Sequence, residues 1–236
     1  MTSGKILHII VPCYNPDGGW DKTIVEKFSE LRSSLPGTEL KLTLVNDGSI
    51  KGFENRNIKY LQSEIESFHL VSYPENKGKG YALRQGIEAA DGDYFIYTDI
   101  DFPYTIESMA AIYDDLQNGA DVVVGIRERE YYEKVPPRRV IISKMVKKLI
   151  RYLLKTQITD TQCGLKGFNN KGKEIFLKTS INRFLFDMEF VKLASGDKNT
   201  VVKPQRVFSR PGIVFSHMNY KVLLGESFNF LKLFIS

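Results

Sequence analysis

Apolar runs rich in β-branched residues alternate with segments of helical period along the first half of the chain. The apolar runs predict five strands, at Lys5–Val11, Leu40–Val45, Phe68–Tyr73, Tyr94–Thr98 and Ala120–Gly125. The periodic segments predict helices at Gly18–Leu35, Gly80–Ala90 and Ile106–Gln117, each bounded by Gly, Pro, Asp or Asn. This alternation predicts an α/β fold with a mostly parallel central sheet flanked by helices.

Parallel strands bring their carboxyl ends to one edge of the sheet, where ligands of such folds bind. The loops after the first four predicted strands are VPCYNPDGG, LVNDGS, ENKGKGYALRQG and TDID. Each loop alone is weak evidence, since Asn, Asp, Gly and Ser form turns on any fold. Together they place aromatic, hydrogen-bonding, cationic and carboxylate groups along one predicted crevice.

Asp99 and Asp101 follow a buried strand and are separated by one residue. Two close carboxylates repel each other unless a cation or hydrogen-bond donors compensate. An isolated pair of this kind favours solvated carboxylates, with Asp101 capping the next helix. The neighbouring loops favour a metal-binding pair instead. The third loop, with Lys77 and Lys79, opens a helix and suits anionic groups, because free N–H groups and the helix dipole would point at them.

Composition narrows the class of partner. The chain has 236 residues, 42% hydrophobic and 26% charged, and a formal charge of +5, with a pI near 9.0. These values fit a soluble globular protein with anionic partners, either phosphates, nucleic acid or a lipid surface. Nucleic acid is disfavoured, because the chain has neither a nucleic-acid motif nor interleaved basic and aromatic residues.

Cysteine and histidine usage argues against a zinc site and against disulfides. Cys13 and Cys163 lie in unrelated motifs, and the three histidines are scattered along the chain. The N-terminus lacks a signal-peptide pattern, and no run approaches the roughly 18 to 20 apolar residues of a membrane span. We therefore expect a cytoplasmic protein with two reduced thiols.

Six motifs carry a family resemblance: VPCYN, VNDGS, ENKGKGYALRQGIEAADGDYFIYTDID, VVGIR, DTQCGLKGF and FLFDMEF. Their order, from about residue 6 to about residue 212, resembles glycosyltransferase family 2, and within it the polyprenyl-phosphate sugar transferases of the dolichyl-phosphate β-glucosyltransferase type. The resemblance implies a GT-A fold over residues 1–212, followed by a C-terminal amphipathic segment at 213–236.

The resemblance also implies a donor site. It implies that the metal is bound by Asp101 and by Asp99, which also lies near the ribose, and that Mg²⁺ or Mn²⁺ acts as a Lewis acid for the leaving nucleoside diphosphate. Related mannose synthases often carry a Gln metal ligand where this chain has Pro103, which leaves the metal ligand set incomplete. The implied nucleotide-binding residues are Pro12, Tyr14, Asn15, Asp47, Lys77 and Lys79.

For the acceptor, the resemblance matches Arg127 and Arg139 to arginines that bind a lipid phosphate, and Arg210 is a weaker third candidate. The turn that contains Gln162 is implied to border the sugar and the acceptor. Asp187 has two possible roles. It is the general base if the acceptor is a hydroxyl group, whereas it orients the sugar or a loop if the acceptor is an already ionised phosphate.

The segment Arg138–Lys155 is amphipathic, with five basic residues on one face, and no Asp or Glu occurs from Lys134 to Thr159. It is either a core-facing helix with a solvated basic side or an interfacial helix on anionic lipid. The family resemblance favours the interfacial helix. The C-terminal segment predicts a second membrane-surface element or a contact in a homo-oligomer.

These observations predict an inverting transferase that moves a hexose, most simply glucose from UDP-glucose, onto polyprenyl phosphate at the cytoplasmic membrane face. The first alternative is a family 2 enzyme that adds the sugar to a glycan hydroxyl, with Asp187 as base. The second is a non-catalytic basic protein that binds nucleic acid or a membrane. It explains the charge but not the four strand-end motifs.

Overall fold

The computed structural model describes residues 4–127, 158, 160–183 and 185–211. The predicted interfacial helix at 138–155, the C-terminal segment at 213–236 and the candidate Arg139 lie outside these ranges. The domain bounds and the membrane contacts therefore remain predictions. Within the described ranges, no helix is both long and apolar enough to cross a membrane.

Strands and helices alternate, as the sequence predicts. The described strands are β1 Ile6–Cys13, β2 Glu39–Asp47, β3 Phe68–Tyr73, β4 Tyr94–Tyr97, β5 Val122–Arg127, β6 Lys166–Asn169 and β7 Val202–Val207. The described helices are α1 Trp20–Ser34, α2 Asn55–Glu64, α3 Lys79–Ala89, α4 Ile106–Gln117, α5 Asn170–Leu177 and α6 Phe186–Gly196.

The strands form one sheet in the order β3-β2-β1-β4-β6-β5-β7. All pairings are parallel except those of β6, which runs antiparallel to both β4 and β5. Because β6 is reversed, its first residue lies at the sheet edge where the parallel strands end. Lys166 is thereby paired in register with Tyr97 of β4 and Val124 of β5.

Two hydrophobic clusters cover the two faces of the sheet. Alternate residues of a strand point to opposite faces, and Ile9 accordingly packs with α1, α2 and α4, whereas Ile10 packs with α3, α5 and α6. Burying one such aliphatic side chain stabilises the fold by about 1.5–3 kcal/mol. Both cysteines are buried free thiols.

The predicted α/β fold with a mostly parallel sheet is confirmed. Helix α4 has the predicted bounds, and α1 and α3 agree within two residues. The motif FLFDMEF, which fits a strand or a helix by sequence, leads into α6. The reversed direction of β6 and the presence of α2 and α5 were not predicted.

Candidate active site

Loops after β1 and β2 are tied together by Asn15. Its Oδ1 accepts hydrogen bonds from the backbone N–H groups of Ile50 (2.8 Å) and Lys51 (3.2 Å), and its own N–H donates to Ser49 Oγ at 2.9 Å. Asn15 adopts a φ of 47°, a left-handed conformation that Asn tolerates better than most residues. The neighbouring Tyr14 is left half exposed, so its ring is accessible to a ligand, while the preceding Pro12 lies within β1.

Asp47 ends β2 and holds the loop that follows β3. Its carboxylate accepts hydrogen bonds from the backbone of Lys77 at 2.8 Å and of Gly78 at 2.9 Å, and from Asn76 Nδ2 at 2.8 Å. The side chain is buried. Asp47 therefore fixes the cationic loop, and any contact with a nucleotide would add to these three bonds.

The start of α3 differs from the sequence prediction. The N–H groups of Gly80 and Tyr81 donate to the carbonyl oxygen of Asn182, at 2.8 and 3.3 Å, so they are not available to an anion. The exposed Lys77 keeps its ammonium 4.9 Å from the ring centre of Tyr81 and 5.7 Å from that of Tyr73. The positive charge of this loop therefore comes from its lysine side chains rather than from free N–H groups.

Lys79, the first residue of α3, forms an ion pair with Asp99. Burial alone would lower the pKa of Lys79, but the carboxylates of Asp99, Asp187 and Asp101 together outweigh that effect and raise the pKa above its ordinary value. The ammonium therefore stays charged at neutral pH. A cation from the third loop and a carboxylate from the fourth strand end therefore meet at the carboxyl ends of the parallel strands.

Asp101 lies two residues further on, within a tight turn in which the N–H of Phe102 donates to the carbonyl of Asp99 at 2.9 Å. Burial of its carboxyl group, and then repulsion from Asp99, raise the pKa of Asp101. Both effects disfavour the ionised form, and both would be reversed by a bound cation. Arg210 donates its guanidinium to the carbonyls of Asp101 and Phe102, so it supports the turn from behind.

These carboxylates fit a divalent cation that binds together with a diphosphate. Within the described ranges, no group of three or more His, Cys, Asp and Glu side chains could hold a metal ion. Asp99 and Asp101 remain the candidate ligands that the sequence predicts, and Pro103 adds no side-chain donor. Mg²⁺ commonly binds through one or two carboxylates, with water and substrate phosphates completing the shell.

Asp187, in the first turn of α6, is held by two buried donors. Its Oδ1 accepts from Lys166 Nζ and from the Tyr97 hydroxyl, each at 2.5 Å. Burial, and then the Asp187 carboxylate, raise the pKa of Tyr97 well above its ordinary value, so the phenol remains a neutral donor. Neither partner was predicted from the sequence. A single lysine at the start of the apolar strand KGFN was the available signal.

Glu189 serves a different contact and does not pair with Asp187. It accepts from the N–H groups of Ser180 and Ile181, at 2.9 and 2.8 Å. The two acids therefore have separate partners, and Glu189 anchors the segment before α6.

Arg127, at the end of β5, is paired with the buried Asp160. Its Nε and terminal nitrogen donate to the two carboxylate oxygens at 2.8 and 2.6 Å, and its backbone N–H adds a bond at 3.0 Å. Burial would lower the pKa of Arg127, but these hydrogen bonds raise it overall. Gln162 lies half-buried in the adjacent turn. Arg127 thus anchors this turn at the end of β5.

Comparison with known proteins agrees with this architecture. The model of glycosyl transferase family 2 matches residues 8–176. The chain is 26% identical over 210 residues to a dolichyl-phosphate beta-glucosyltransferase of Saccharomyces cerevisiae, with 80% of this chain and 62% of the relative covered. The human protein of the same name is 27% identical over 205 residues, with 80% and 63% covered. The chain therefore spans less than two thirds of the length of these relatives.

Among solved structures, the glucosyl-3-phosphoglycerate synthase of Mycobacterium tuberculosis, in complex with Mn²⁺, UDP and phosphoglyceric acid, superposes with a TM-score of 0.65 at 13% identity. The superposition covers 98% of this chain and 77% of that one. The predicted GT-A fold is confirmed, and so is the predicted family. Because the family match extends over more than half of its length, the chain belongs to glycosyl transferase family 2.

Proposed function

We propose that this protein is an inverting, metal-dependent glycosyltransferase that moves glucose from UDP-glucose onto a polyprenyl phosphate, dolichyl or undecaprenyl, at the cytoplasmic face of a membrane. The family supports sugar transfer, and the names of the yeast and human relatives support this sugar and this class of acceptor. The solved structure with Mn²⁺ and UDP supports the donor and the metal.

The donor would occupy the crevice at the strand ends. Tyr14 offers an exposed aromatic face for the nucleobase, and Lys77 and Lys79 supply positive charge for the diphosphate. Asp99 and Asp101 would hold Mg²⁺ or Mn²⁺. When bound, such an ion offsets the negative charge that develops on the leaving diphosphate.

The observation that supports this choice of acceptor is the buried, ion-paired setting of Asp187. The side chain is 5% exposed, and its Oδ1 already accepts from Lys166 and Tyr97 at 2.5 Å. Only Oδ2 is left to reach an acceptor hydroxyl, and a general base must lie within hydrogen-bond reach of that group. A phosphate acceptor needs no base, because its second pKa is about 6 and it is substantially ionised at neutral pH.

The proposed step balances without a proton transfer. An anionic oxygen of the lipid phosphate forms a bond to C1 of glucose, while the bond from C1 to the β-phosphate oxygen of UDP breaks. The electron pair of that bond leaves with UDP. Attack from the face opposite UDP inverts the α-linked donor, and the product is a β-linked glucosyl phosphate.

Acceptor binding would use arginines and the membrane. Asp160 presents Arg127 at the end of β5, and Arg139 would add a second guanidinium from a part of the chain outside the described residues. The basic amphipathic segment Arg138–Lys155 would lie on anionic lipid and bring the crevice to the polyprenyl phosphate.

Transfer of label tests the proposal. The protein is incubated with polyprenyl phosphate, Mn²⁺ and radiolabelled nucleotide sugars in parallel: UDP-glucose, UDP-galactose, UDP-GlcNAc and GDP-mannose. We expect label in the organic phase with UDP-glucose, dependent on the metal. An organic phase without label for every donor would overturn the proposal, and label from GDP-mannose alone would overturn the assigned sugar and base.

A further inference from the structure

Lys166 is a fully buried lysine at the edge of the candidate site. Its ammonium donates to Asp187 Oδ1 at 2.5 Å and to the carbonyl oxygen of Cys163 at 2.6 Å, and it lies 5.6 Å from the ring centre of Tyr97. A buried ammonium is costly unless it is paired and hydrogen-bonded. These contacts compensate the charge and tie the turn before β6 to α6 and β4.

The same turn presses against the donor carboxylate. Gly164 follows Cys163, and a Cβ added to Gly164 would lie 2.4 Å from Asp99 Oδ2. Non-bonded carbon and oxygen atoms do not approach this closely, so a Cβ at this position would displace the carboxylate. The glycine backbone therefore lies directly against Asp99. Asp99 is thereby bounded by Gly164 near Oδ2 and by Lys79 at Oδ1.

The position of Asp99 therefore depends on a turn that Lys166 holds in place. Without the bond from Lys166 to Cys163, the peptide that carries Gly164 loses its anchor to α6. The Asp99 carboxylate would then lose its contact with Gly164, while its ion pair with Lys79 would remain. Groups that orient metal-binding carboxylates contribute to metal affinity even though they do not touch the metal.

We propose that Lys166 is a positioning residue that holds the Cys163–Gly164 turn against Asp99 and so sets this carboxylate for the metal and the nucleotide. The inference rests on the proposed function, because it takes Asp99 as part of the donor site. Lys166 itself touches neither the sugar nor the diphosphate in this account. It acts through the backbone of the turn.

Binding of UDP in the presence of Mn²⁺, measured by calorimetry without any acceptor, tests this role. We expect Lys166→Met to weaken UDP binding by about 10- to 100-fold, the usual effect of removing such a supporting contact. Gly164→Ala should weaken it as well, because its methyl group displaces Asp99. Both changes act on one carboxylate. The double variant should therefore lose less free energy of UDP binding than the sum of the two single losses.

Two controls separate positioning from general destabilisation. Lys171→Met removes a lysine that pairs with Asp121 at 3.0 Å, at the opposite edge of the sheet, and should bind UDP like the unmodified protein. Lys166→Met combined with Asp187→Asn leaves no unpaired buried charge, so it should fold if the single variant does not. It should still bind UDP weakly, and more weakly than Asp187→Asn alone.

The outcomes are distinct. If the unmodified protein binds UDP and a folded Lys166→Met variant binds it equally well, the inference on Lys166 is wrong and the proposed function stands. Full additivity of Lys166→Met and Gly164→Ala would also overturn the inference. If the unmodified protein binds no UDP with Mn²⁺, the proposed function fails, and the inference fails with it.

Discussion

Arg210 donates from Nε to the carbonyl oxygen of Phe102 at 2.6 Å, across 108 residues of sequence. Phe102 is buried and has a φ of 44°, a conformation that costs a bulky residue of the order of 1–3 kcal/mol. Arg210 thus bonds the carbonyl of a residue in an unfavourable backbone conformation, directly after Asp101 in the turn.

Replacing Arg210 by Met should loosen this turn and weaken UDP binding with Mn²⁺ by about tenfold or more, since Asp101 is no longer fixed. The measurement is calorimetric titration of UDP. Arg32→Met is the matched control, because Arg32 is an exposed arginine at the end of α1 that stacks on Phe28. Equal affinities in the two variants would show that Arg210 does not support the site.

Asp101→Asn should abolish transfer and yet stabilise the metal-free protein. The pKa of Asp101 is raised in the fold, so ionisation of this group lowers folded-state stability as pH rises through that pKa. Near neutral pH the asparagine variant avoids this penalty, whereas at acidic pH, where Asp101 is protonated, the advantage disappears.

Thermal unfolding of both proteins in a chelator, at neutral and at acidic pH, measures this difference. Asp114→Asn serves as the control, because Asp114 is an exposed carboxylate on α4. A variant that keeps near-normal transfer would refute the role of Asp101 as metal ligand. One that is less stable than the unmodified protein at neutral pH would refute the electrostatic penalty.

Arg127→Ala should destabilise the protein by about 3–5 kcal/mol, because it removes an ion pair and two side-chain hydrogen bonds from the buried carboxylate of Asp160. Urea denaturation gives the free energy of unfolding. Lys5→Ala, which removes an exposed lysine that pairs with the partly exposed Asp93, should cost about 1 kcal/mol or less. Similar losses in both variants would contradict the structural role of the Arg127 pair.

Recruitment to anionic membranes should depend on the basic segment at 138–155. The protein should cosediment with vesicles that contain phosphatidylglycerol and should not cosediment with neutral vesicles. Exchanging Lys147, Lys148 and Arg151 for Glu should release it, because each basic residue near such a surface contributes about 1 kcal/mol. Failure to bind anionic vesicles would favour the alternative acceptor, a glycan hydroxyl.

Local patterns predicted most of the fold. The β-branched runs and the helical periods define β1 to β5, α1, α3 and α4, because burial on one or both faces imposes those patterns directly. Helix α2 has a mostly polar sequence with Ile58 and Leu61 as its buried residues, so its apolar stripe is too narrow to stand out. The direction of β6 depends on which strands it joins, and no local pattern encodes that.

The candidate site was predicted in its residue types but not in its contacts. Strand ends identify Asp47, Lys79 and Asp99 because the fold rule brings those loops together. Other partners in the site are remote in sequence. Asn182 accepts hydrogen bonds from the start of α3, and Lys166 donates to Asp187. Such pairings depend on the packing of complete elements, so a single sequence does not reveal them.

The choice between a phosphate and a hydroxyl acceptor is tested most directly with two lipids that differ only in that group. Polyprenyl phosphate and the corresponding polyprenol are each incubated with radiolabelled UDP-glucose and Mn²⁺, using the unmodified protein and a folded Asp187→Asn variant. We expect label on the polyprenyl phosphate alone. The Asp187→Asn variant should transfer glucose at a rate within about tenfold of normal, whereas removal of a general base would lower the rate by about 10²- to 10⁴-fold. Label on the polyprenol, or a loss of that size in a variant that still binds UDP, would contradict the account.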